Sequence, residues 1–387
     1  MCRAFRGPPP RAACVPAGEG PRAMSSLTEQ IRAALAEVTD PASGNRIVAS
    51  GQLAGVEADD AARTAKLVVQ LISPGYPRRP ELDTAIRGAL AQLALDGLSI
   101  EWTLRVPFKP ARADLARLPT VKNIIAVAAG KGGVGKSTVS VNVAMALSKL
   151  GASVGILDAD IYGPSVPKML GVAQSEATTA EAGGGIAPAR YRGMPVMSVE
   201  YFVEPGKAVI WRGPMIHKLL TQFLEDVRWG ELDYLIVDLP PGTGDAQLSL
   251  CQLIPITGAI VVTTPQEVAL IDVRKAIDMF GKLEVPVLGV AENMSLYCCP
   301  SCGHRAEIFG AGGGRRLASE FNVELLAQIP IEPRVAYGGE SGRPVVEDDP
   351  EGEVSRAFFE LAAQAAMAAS VRSATGPKRS SLLRTVQ

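Results

Sequence analysis

A glycine-rich run with two lysines constrains the fold of this 387-residue chain more than any other feature. Residues 130–138 read GKGGVGKST and fit the pattern G-x-x-x-x-G-K-[ST] of a phosphate-binding loop. The run follows an apolar, β-branched segment at 124–129 and precedes a stretch with apolar residues at helical spacing. This motif binds phosphate in the context of a strand, the loop and then a helix. The sequence therefore predicts a nucleotide site at the end of a strand.

The residue types of this run suit ATP with Mg²⁺. Glycines accept positive φ, so successive N–H groups can face phosphate oxygens, and the start of the following helix also attracts anions. We predict that Lys136 reaches the β- and γ-phosphates and that the Ser137 hydroxyl binds Mg²⁺. The predicted nucleotide-binding residues of the run are Gly130, Lys131, Gly132, Gly133, Val134, Gly135, Lys136, Ser137 and Thr138.

Polar side chains end three further predicted strands. Because carboxyl ends of parallel strands meet at one edge of a sheet, we expect these side chains to lie near the loop. Asp158 and Asp238 are predicted to support Mg²⁺, and Asp160 to position the attacking water; the alternative for Asp158 and Asp160 is that they cap a turn. Asn293 has the amide needed to bind a purine edge, and the alternative is a turn-forming asparagine.

Alternating strand and helix patterns over residues 121–370 predict a P-loop NTPase domain of α/β class. Such alternation favours a mostly parallel sheet with helices on both faces. The predicted strands lie at 124–129, 153–158, 234–239, 259–264, 286–291 and 325–329.

Residues 26–106 predict a small α+β domain, joined to the larger one by a Pro-containing linker at 107–120. Its predicted helices lie at 27–38 and 80–95, and its predicted strands at 47–56, 65–72 and 99–104. The Pro-, Gly- and Arg-rich residues 1–25 predict a disordered extension or a misassigned start before Met24, and residues 371–387 a disordered tail.

Composition favours a protein of the reducing cytoplasm. The chain has 39 basic and 40 acidic side chains, which gives no electrostatic argument for binding nucleic acid or an anionic membrane. No apolar stretch approaches the roughly 20 residues that a membrane span needs. Six cysteines are too few and too clustered for a disulfide scaffold.

Cys299 and Cys302 form a C-x-x-C pair that can turn both sulfurs toward one soft metal or cluster. Four thiolates are usual for an iron-sulfur cluster, and a symmetric dimer would supply them by giving one pair from each subunit. One alternative is zinc bound through Cys299, Cys302 and His304, with Cys298 or a partner as the fourth ligand. A redox disulfide and plain core cysteines are the remaining alternatives.

The loop with its additional lysine resembles the deviant Walker A loop of the MinD/ParA/nitrogenase-iron-protein class, whose members work as nucleotide-sandwich dimers. An ammonium beside the γ-phosphate can act like an arginine finger, in cis or from a second subunit. The resemblance implies that Lys131 acts across the dimer interface as a catalytic residue, together with Lys136 and Asp160. The alternative is a solvated loop lysine.

With GKGGVGKST, the segments DADIYGPS, DLPPGTGD and ENMSLYCCPSCG closely resemble the Mrp (ApbC-like) iron-sulfur cluster carrier ATPases, over about residues 26–370. The resemblance implies a homodimer that binds a [4Fe-4S] cluster through Cys299 and Cys302. It also implies a cluster donor or scaffold protein and apo iron-sulfur proteins as clients, with ATP hydrolysis. Cys298 is a further neighbour, so the sequence leaves open which two of these three cysteines bind the cluster.

Two turns of the small domain, at 40–44 and 73–77, resemble those of the SufT/PaaD-like domain associated with iron-sulfur assembly. Tyr76 stands where some relatives place a cysteine, which favours a structural or docking role for this domain. Two other functions for the whole chain remain open: a cluster-bridged reductase-type ATPase, and a MinD/ParA-like ATPase with structural zinc.

Overall fold

A computed structural model describes residues 26–108, 118–172, 178–179, 185–202, 213–299 and 301–375. The predicted extension at 1–25, most of the linker and residues 376–387 lie outside the described residues. Two separate clusters of buried apolar side chains form the cores of the small and the large domain. No helix in the described part of the chain is both long enough and apolar enough to span a membrane.

The small domain is a three-stranded sheet with two helices. Strand β1 pairs antiparallel with β2, which pairs parallel with β3. Both helices bury residues at helical spacing, such as Leu27 with Ile31 and Leu82 with Ile86. In chain order the elements are α1 (Leu27–Ala34), β1 (Leu53–Asp59), β2 (Thr64–Leu71), α2 (Arg79–Leu90), a 3₁₀ turn (Ala91–Leu93) and β3 (Gly97–Leu104).

Three predicted boundaries of this domain are wrong. The helix predicted at 80–95 ends at Leu90 and is followed by a 3₁₀ turn. The strand predicted at 47–56 begins only at Leu53, because residues 47–51 form turns in which the Ser50 N–H donates to the Arg46 carbonyl at 2.9 Å. The helix predicted at 27–38 ends at Ala34, because the N–H groups of Ala36 and Val38 then donate to carbonyls three residues earlier, as in a turn. Apolar residues continue past all three boundaries, so hydropathy alone does not mark them.

The two signature-like turns of the small domain meet at the buried carboxylate of Asp40. Asp40 Oδ2 accepts hydrogen bonds from the Tyr76 hydroxyl at 2.8 Å and from Gln52 Nε2 at 3.1 Å, and Oδ1 accepts one from the Ser43 hydroxyl at 2.8 Å. Burial raises the pKa of the Tyr76 hydroxyl, so this group stays a hydrogen-bond donor. Tyr76 therefore has a structural role.

Replacing Tyr76 with phenylalanine should lower the free energy of unfolding by about 1.5–3 kcal/mol, because the change removes a hydrogen bond to a buried carboxylate. Urea unfolding followed by circular dichroism measures the change. Tyr337→Phe is the matched control, since Tyr337 is 67 % exposed. A Tyr76→Phe loss no larger than that of the control would contradict this role.

The large domain alternates strands and helices along the chain. Its elements are β4 (Val121–Ala129), α3 (Lys136–Lys149), β5 (Val154–Asp158), α4 (Val166–Leu170), β6 (Thr178–Thr179), β7 (Ile186–Ala187), β8 (Ala189–Tyr191), β9 (Met194–Ser198), a 3₁₀ turn (Val199–Phe202), α5 (Gly213–Glu225), β10 (Leu232–Asp238), α6 (Asp245–Leu253), β11 (Gly258–Thr263), α7 (Glu267–Lys282), β12 (Val287–Cys298), β13 (Arg305–Ala306), α8 (Gly313–Phe321), β14 (Leu325–Ile331), α9 (Pro333–Ser341), α10 (Val345–Asp348) and α11 (Glu353–Thr375).

Within the described residues the main sheet has the strand order β13-β12-β11-β4-β10-β5-β9-β8, and β14 also pairs with β12. Neighbouring strands from β12 to β9 run parallel, as does β14 beside β12, whereas β8 and β13 are antiparallel edges. This confirms the predicted P-loop NTPase fold with a mostly parallel sheet. The phosphate-binding loop, Asp158 and Asp238 follow three adjacent strands, so they share one edge of the sheet.

The last helix includes the start of the predicted disordered tail. Residues 371–375, predicted as the start of a disordered tail, belong to α11. Side chains near the end of α11 are anchored: Ser370 Oγ lies 2.8 Å from Tyr234 Oη, and Ser373 Oγ donates to Asn123 Oδ1 at 2.7 Å. Val371 also packs against the core of the small domain, so this end has partners in both domains.

Candidate functional site

The loop at residues 130–138 turns sharply between β4 and α3. Gly135 has φ +85°, a left-handed conformation that favours glycine, and it directly precedes α3. At Gly130 the backbone passes so close to α7 that an added Cβ would lie 2.4 Å from the Val273 nitrogen. Both positions therefore require glycine for reasons of space or backbone conformation.

A cavity of about 230 Å³ lies over this loop. Its wall combines residues of the loop with residues from the segments that follow β5 and β10, among them Lys131, Lys136, Ser137, Thr138, Asp160 and Pro241. The structure therefore brings Asp160 together with seven of the nine predicted loop residues at one cavity, whereas Gly130, Val134 and Asn293 are not in its wall.

Lys136 lies between two carboxylates. Its Nζ is 2.7 Å from Asp238 Oδ2 and 3.3 Å from Asp160 Oδ2, and only 7 % of its side chain is exposed. Asp238 also accepts hydrogen bonds from Ser137 Oγ and Ser140 Oγ, each at 2.6 Å. The sequence analysis missed Ser140, although its position one helical turn after Lys136 places it on the same face of α3.

Asp158 lies deeper, and its carboxylate holds the segment that follows β5. Its Oδ2 accepts from the N–H groups of Ser165 and Val166 at 3.1 and 3.2 Å, and from the hydroxyl of Ser198 at 3.1 Å. Its Oδ1 accepts from the N–H of Asp160 at 3.2 Å. These bonds fix the start of α4, and the predicted role of Asp158 in supporting Mg²⁺ stays a prediction.

The acidic groups of this site outnumber its buried cations. Among the residues that the structure describes, Asp158, Asp160 and Asp238 are buried around one ammonium, that of Lys136. Burial raises the pKa of Asp158 to about 7, and the nearby carboxylate of Asp238 raises it in the same direction. A divalent cation would offset this excess negative charge, and carboxylate and hydroxyl oxygens are the ligands that Mg²⁺ prefers. Mg²⁺ is usually held by one or two carboxylates together with substrate phosphates, so Ser137 and Asp238 would fit it in the presence of nucleotide.

The raised pKa of Asp158 predicts a stability that falls as the pH rises. The folded state binds the proton more tightly than the unfolded state, so the stabilisation is fully present below 3.8 and is lost as the pH passes through about 7. Without nucleotide or Mg²⁺, wild type should lose about 2 kcal/mol relative to Asp158→Asn between pH 5.5 and 7.5. Urea unfolding at both pH values measures this difference. Parallel pH profiles of the two proteins would contradict the assignment.

Asn293 contacts the phosphate-binding loop itself. Its Nδ2 donates to the Val134 carbonyl at 2.9 Å, and the side chain is buried. The contact ties strand β12 to the loop across the sheet edge. The predicted contact of Asn293 with a purine stays a prediction.

The cysteine loop forms a tight turn at the end of β12. Cys298 pairs with Arg305 in the short hairpin of β12 and β13, and the Cys299 N–H donates to the His304 carbonyl at 2.9 Å. Hydrogen bonds from the backbone of Ser301, and then from that of Cys302, lower the pKa of the Cys299 thiol. Donors of this kind favour the thiolate, which is the form that binds a metal or cluster.

The C-x-x-C pair of each chain offers two accessible thiols, which is half of the four thiolates that a cluster usually requires. Cys299 is half-buried and Cys302 is exposed, so both are accessible from the surface. Among the residues described, no group of three or more His, Cys, Asp or Glu side chains could hold a metal ion. The zinc set of Cys299, Cys302 and His304 is therefore not assembled within this part of the chain.

Lys131 lines the cavity at the start of the loop and is half-exposed. Within the described ranges it forms no ion pair, in contrast to Lys136. Its ammonium is therefore not committed to a carboxylate of the described chain.

A profile of the NUBPL iron-transfer P-loop NTPases matches residues 120–366, which is more than half of the chain. The chain belongs to this family. A second profile, that of an iron-sulfur cluster assembly protein, matches residues 28–101 and thus the small domain. These matches confirm the resemblance to iron-sulfur cluster carrier ATPases that the motifs indicated.

Curated relatives agree with this family over both domains. The chain is 43 % identical to the iron-sulfur cluster carrier protein of Deinococcus radiodurans over 349 residues, which cover 89 % of this chain and 97 % of that protein. It is 46 % identical to the protein of the same name from Haemophilus influenzae over 301 residues, which cover 77 % of this chain and 81 % of that protein. Among solved structures, a nucleotide-binding protein from Archaeoglobus fulgidus in complex with ADP is similar, with a TM-score of 0.54 and 38 % identity over 63 % of this chain and 93 % of that one.

Proposed function

We propose that this protein is an iron-sulfur cluster carrier that binds a [4Fe-4S] cluster between two copies of the chain and transfers it to apoproteins, with ATP hydrolysis. The observation that carries the proposal is the accessible pair Cys299 and Cys302, set in a turn whose backbone favours the Cys299 thiolate. Two such pairs supply the four thiolates that a cluster usually requires. The relatives named as iron-sulfur cluster carriers support the same assignment.

The nucleotide is the second substrate of this proposal. Lys136 and the loop amides bind its phosphates, Ser137 and Asp238 hold Mg²⁺, and Asp160 positions the attacking water. These side chains already lie within hydrogen-bond or ion-pair distance of one another, which supports their common role. Bound Mg²⁺ would stabilise the negative charge that develops on the transferred phosphoryl group. Lys131 would do the same from the second copy of the chain.

Partners follow from the same chemistry. A carrier needs a donor or scaffold protein that supplies the cluster and apoproteins that accept it. The small domain is a candidate docking module for one of them, because its profile match is to an iron-sulfur cluster assembly protein. Its position is fixed by contacts of Met367 and Val371 from α11 with its core.

Anaerobic reconstitution with iron and sulfide tests the cluster. The proposal expects about four irons and four sulfides per dimer in wild type, and loss of both from Cys299→Ala/Cys302→Ala. Cys251→Ala is the matched control, because Cys251 is buried in α6 and its pKa is raised by burial. Bound zinc without sulfide in wild type would refute the carrier and favour an ATPase with structural zinc.

Transfer to an apoprotein tests the coupling to ATP. Lys136→Ala and Asp160→Ala are expected to load a cluster but not to transfer it, because neither can complete the nucleotide cycle. Apo-aconitase is a suitable acceptor, since its recovered activity reports an inserted cluster. Equal transfer rates in the variants and wild type would refute the coupling.

A further inference from the structure

Strand β12 is in contact with the phosphate-binding loop at one point and ends at the cysteine loop. The Asn293 amide donates to the Val134 carbonyl at 2.9 Å. An added Cβ at Gly135 would lie 2.2 Å from Asn293 Nδ2 and 3.9 Å from Met294 Cε, so both side chains lie against the loop where α3 begins. Cys299 follows five residues after Met294. A displacement of the loop at residues 134–135 would therefore act directly on this strand.

Met294 interrupts β12 with an unfavourable backbone conformation. Its φ of +56° lies in the left-handed region, which is costly for a residue with a side chain. The pairing with β14 breaks at the same place: Asn293 is opposite Ile329, but the next pair is Tyr297 with Ile331. Four steps along β12 thus match two steps along β14, and the extra residues form a bulge around Met294.

The two parts of β12 on either side of this bulge are held differently. Up to Glu292 the strand is fixed, since Glu292 pairs with Thr263 of β11 and its buried carboxylate accepts from Gln328 Nε2 at 2.6 Å. Beyond Met294 the strand keeps one pair with β14, that of Tyr297 with Ile331, and then leads into the hairpin with β13, where Cys298 pairs with Arg305. The bulge therefore separates an anchored half of the strand from the half that carries the cysteines.

We propose that Asn293 and Met294 couple the nucleotide state of the phosphate-binding loop to the position of the cysteine loop. Asn293 is the positioning residue that follows the loop at Val134, and Met294 is the hinge about which residues 295–306 move. The inference rests on the proposed function, because the movement serves cluster transfer only if the cysteines hold a cluster. The sensing contact and the hinge are adjacent in sequence, so no further relay is needed.

Hydrogen exchange on the full-length, cluster-free protein tests the proposal, with and without ATP and Mg²⁺. In wild type, nucleotide is expected to change the exchange rates of amides in 295–306 by about threefold or more. In Asn293→Ala the contact with Val134 is gone, and in Met294→Gly the hinge no longer prefers one conformation, so the response in 295–306 should disappear. Protection of residues 130–138 is measured in the same spectra and shows that nucleotide is bound in each variant.

Glu284→Gly is the matched control, because Glu284 also has φ +56° but lies at the end of α7. This variant should keep the wild-type response. The proposal is overturned if Asn293→Ala or Met294→Gly keeps the response, or if wild type shows none in 295–306 while 130–138 is protected. A change of ATP-over-GTP preference in Asn293→Ala, with the response intact, would instead make Asn293 a purine contact. Since no cluster is present, failure here is distinct from failure to bind a cluster on reconstitution.

Discussion

Replacing Lys131 with alanine is expected to lower the rate of ATP hydrolysis by about 10³-fold, the lower range of what an arginine finger contributes. Lys131 lines the cavity and is not held by a carboxylate of the described chain, so its ammonium is available to a γ-phosphate. Lys136 cannot replace it, because its ammonium is assigned to the β- and γ-phosphates in its own subunit. Phosphate release at saturating ATP measures the rate, and Lys282→Ala, exposed on α7, is the control that should not change it.

Mixed dimers decide whether Lys131 acts on its own subunit or on the partner. A dimer of one Lys131→Ala subunit and one Asp160→Ala subunit has one site with both residues intact if Lys131 acts across the interface. Equal mixing should then restore about a quarter of the wild-type rate, since about half of random dimers are mixed and each has one working site. If Lys131 acts within its own subunit, every site in the mixture lacks one of the two residues. No recovery would therefore contradict the action in trans.

The fold was predictable because the strands of the large sheet carry strong local signals. Apolar, β-branched runs ending in Gly130, Asp158 and Asp238 mark three neighbouring parallel strands, and their order along one sheet edge follows from the fold class. Short edge strands such as β8 carry no comparable run and were not predicted. Residues 371–375 were predicted as disordered although they end α11, because the partners that anchor Ser370 and Ser373 are distant in sequence.

The sequence predicted that several side chains of the candidate site lie close together, but not the contacts that they make. Lys136, Ser137, Asp160 and Asp238 meet as motif spacing indicates, since each follows a strand of the same sheet. By contrast, the Asn293 amide binds a carbonyl 159 residues away in sequence, and Asp158 is bonded to Ser198, 40 residues away. Such pairings depend on how side chains meet after folding, and no local pattern encodes them. The left-handed conformation of Met294 is hidden for the same reason, because the residue type argues against it.

Replacing Lys136 with methionine should lower the free energy of unfolding of the nucleotide-free protein by about 3–5 kcal/mol, because it removes the ammonium that pairs with two buried carboxylates. Asp238→Asn should cost far less. It leaves Lys136 paired with Asp160 at 3.3 Å and keeps an oxygen that can accept from Ser137 or Ser140. Urea unfolding at pH 7.5 in the presence of EDTA measures both.

Comparing the stability losses of Lys136→Met and Asp238→Asn shows whether attraction between Lys136 and Asp238 or repulsion among the three carboxylates dominates the site. If repulsion among Asp158, Asp160 and Asp238 dominates, Lys136→Met/Asp238→Asn should be more stable than Lys136→Met alone. Equal losses from the two single variants would show instead that attraction within the Lys136–Asp238 pair outweighs this repulsion. Lys122→Met is the control, since the Lys122–Asp233 pair is partly exposed and should contribute about 1 kcal/mol or less. A site dominated by repulsion is least stable when empty, so Mg²⁺ would bind where folding has left negative charge uncompensated.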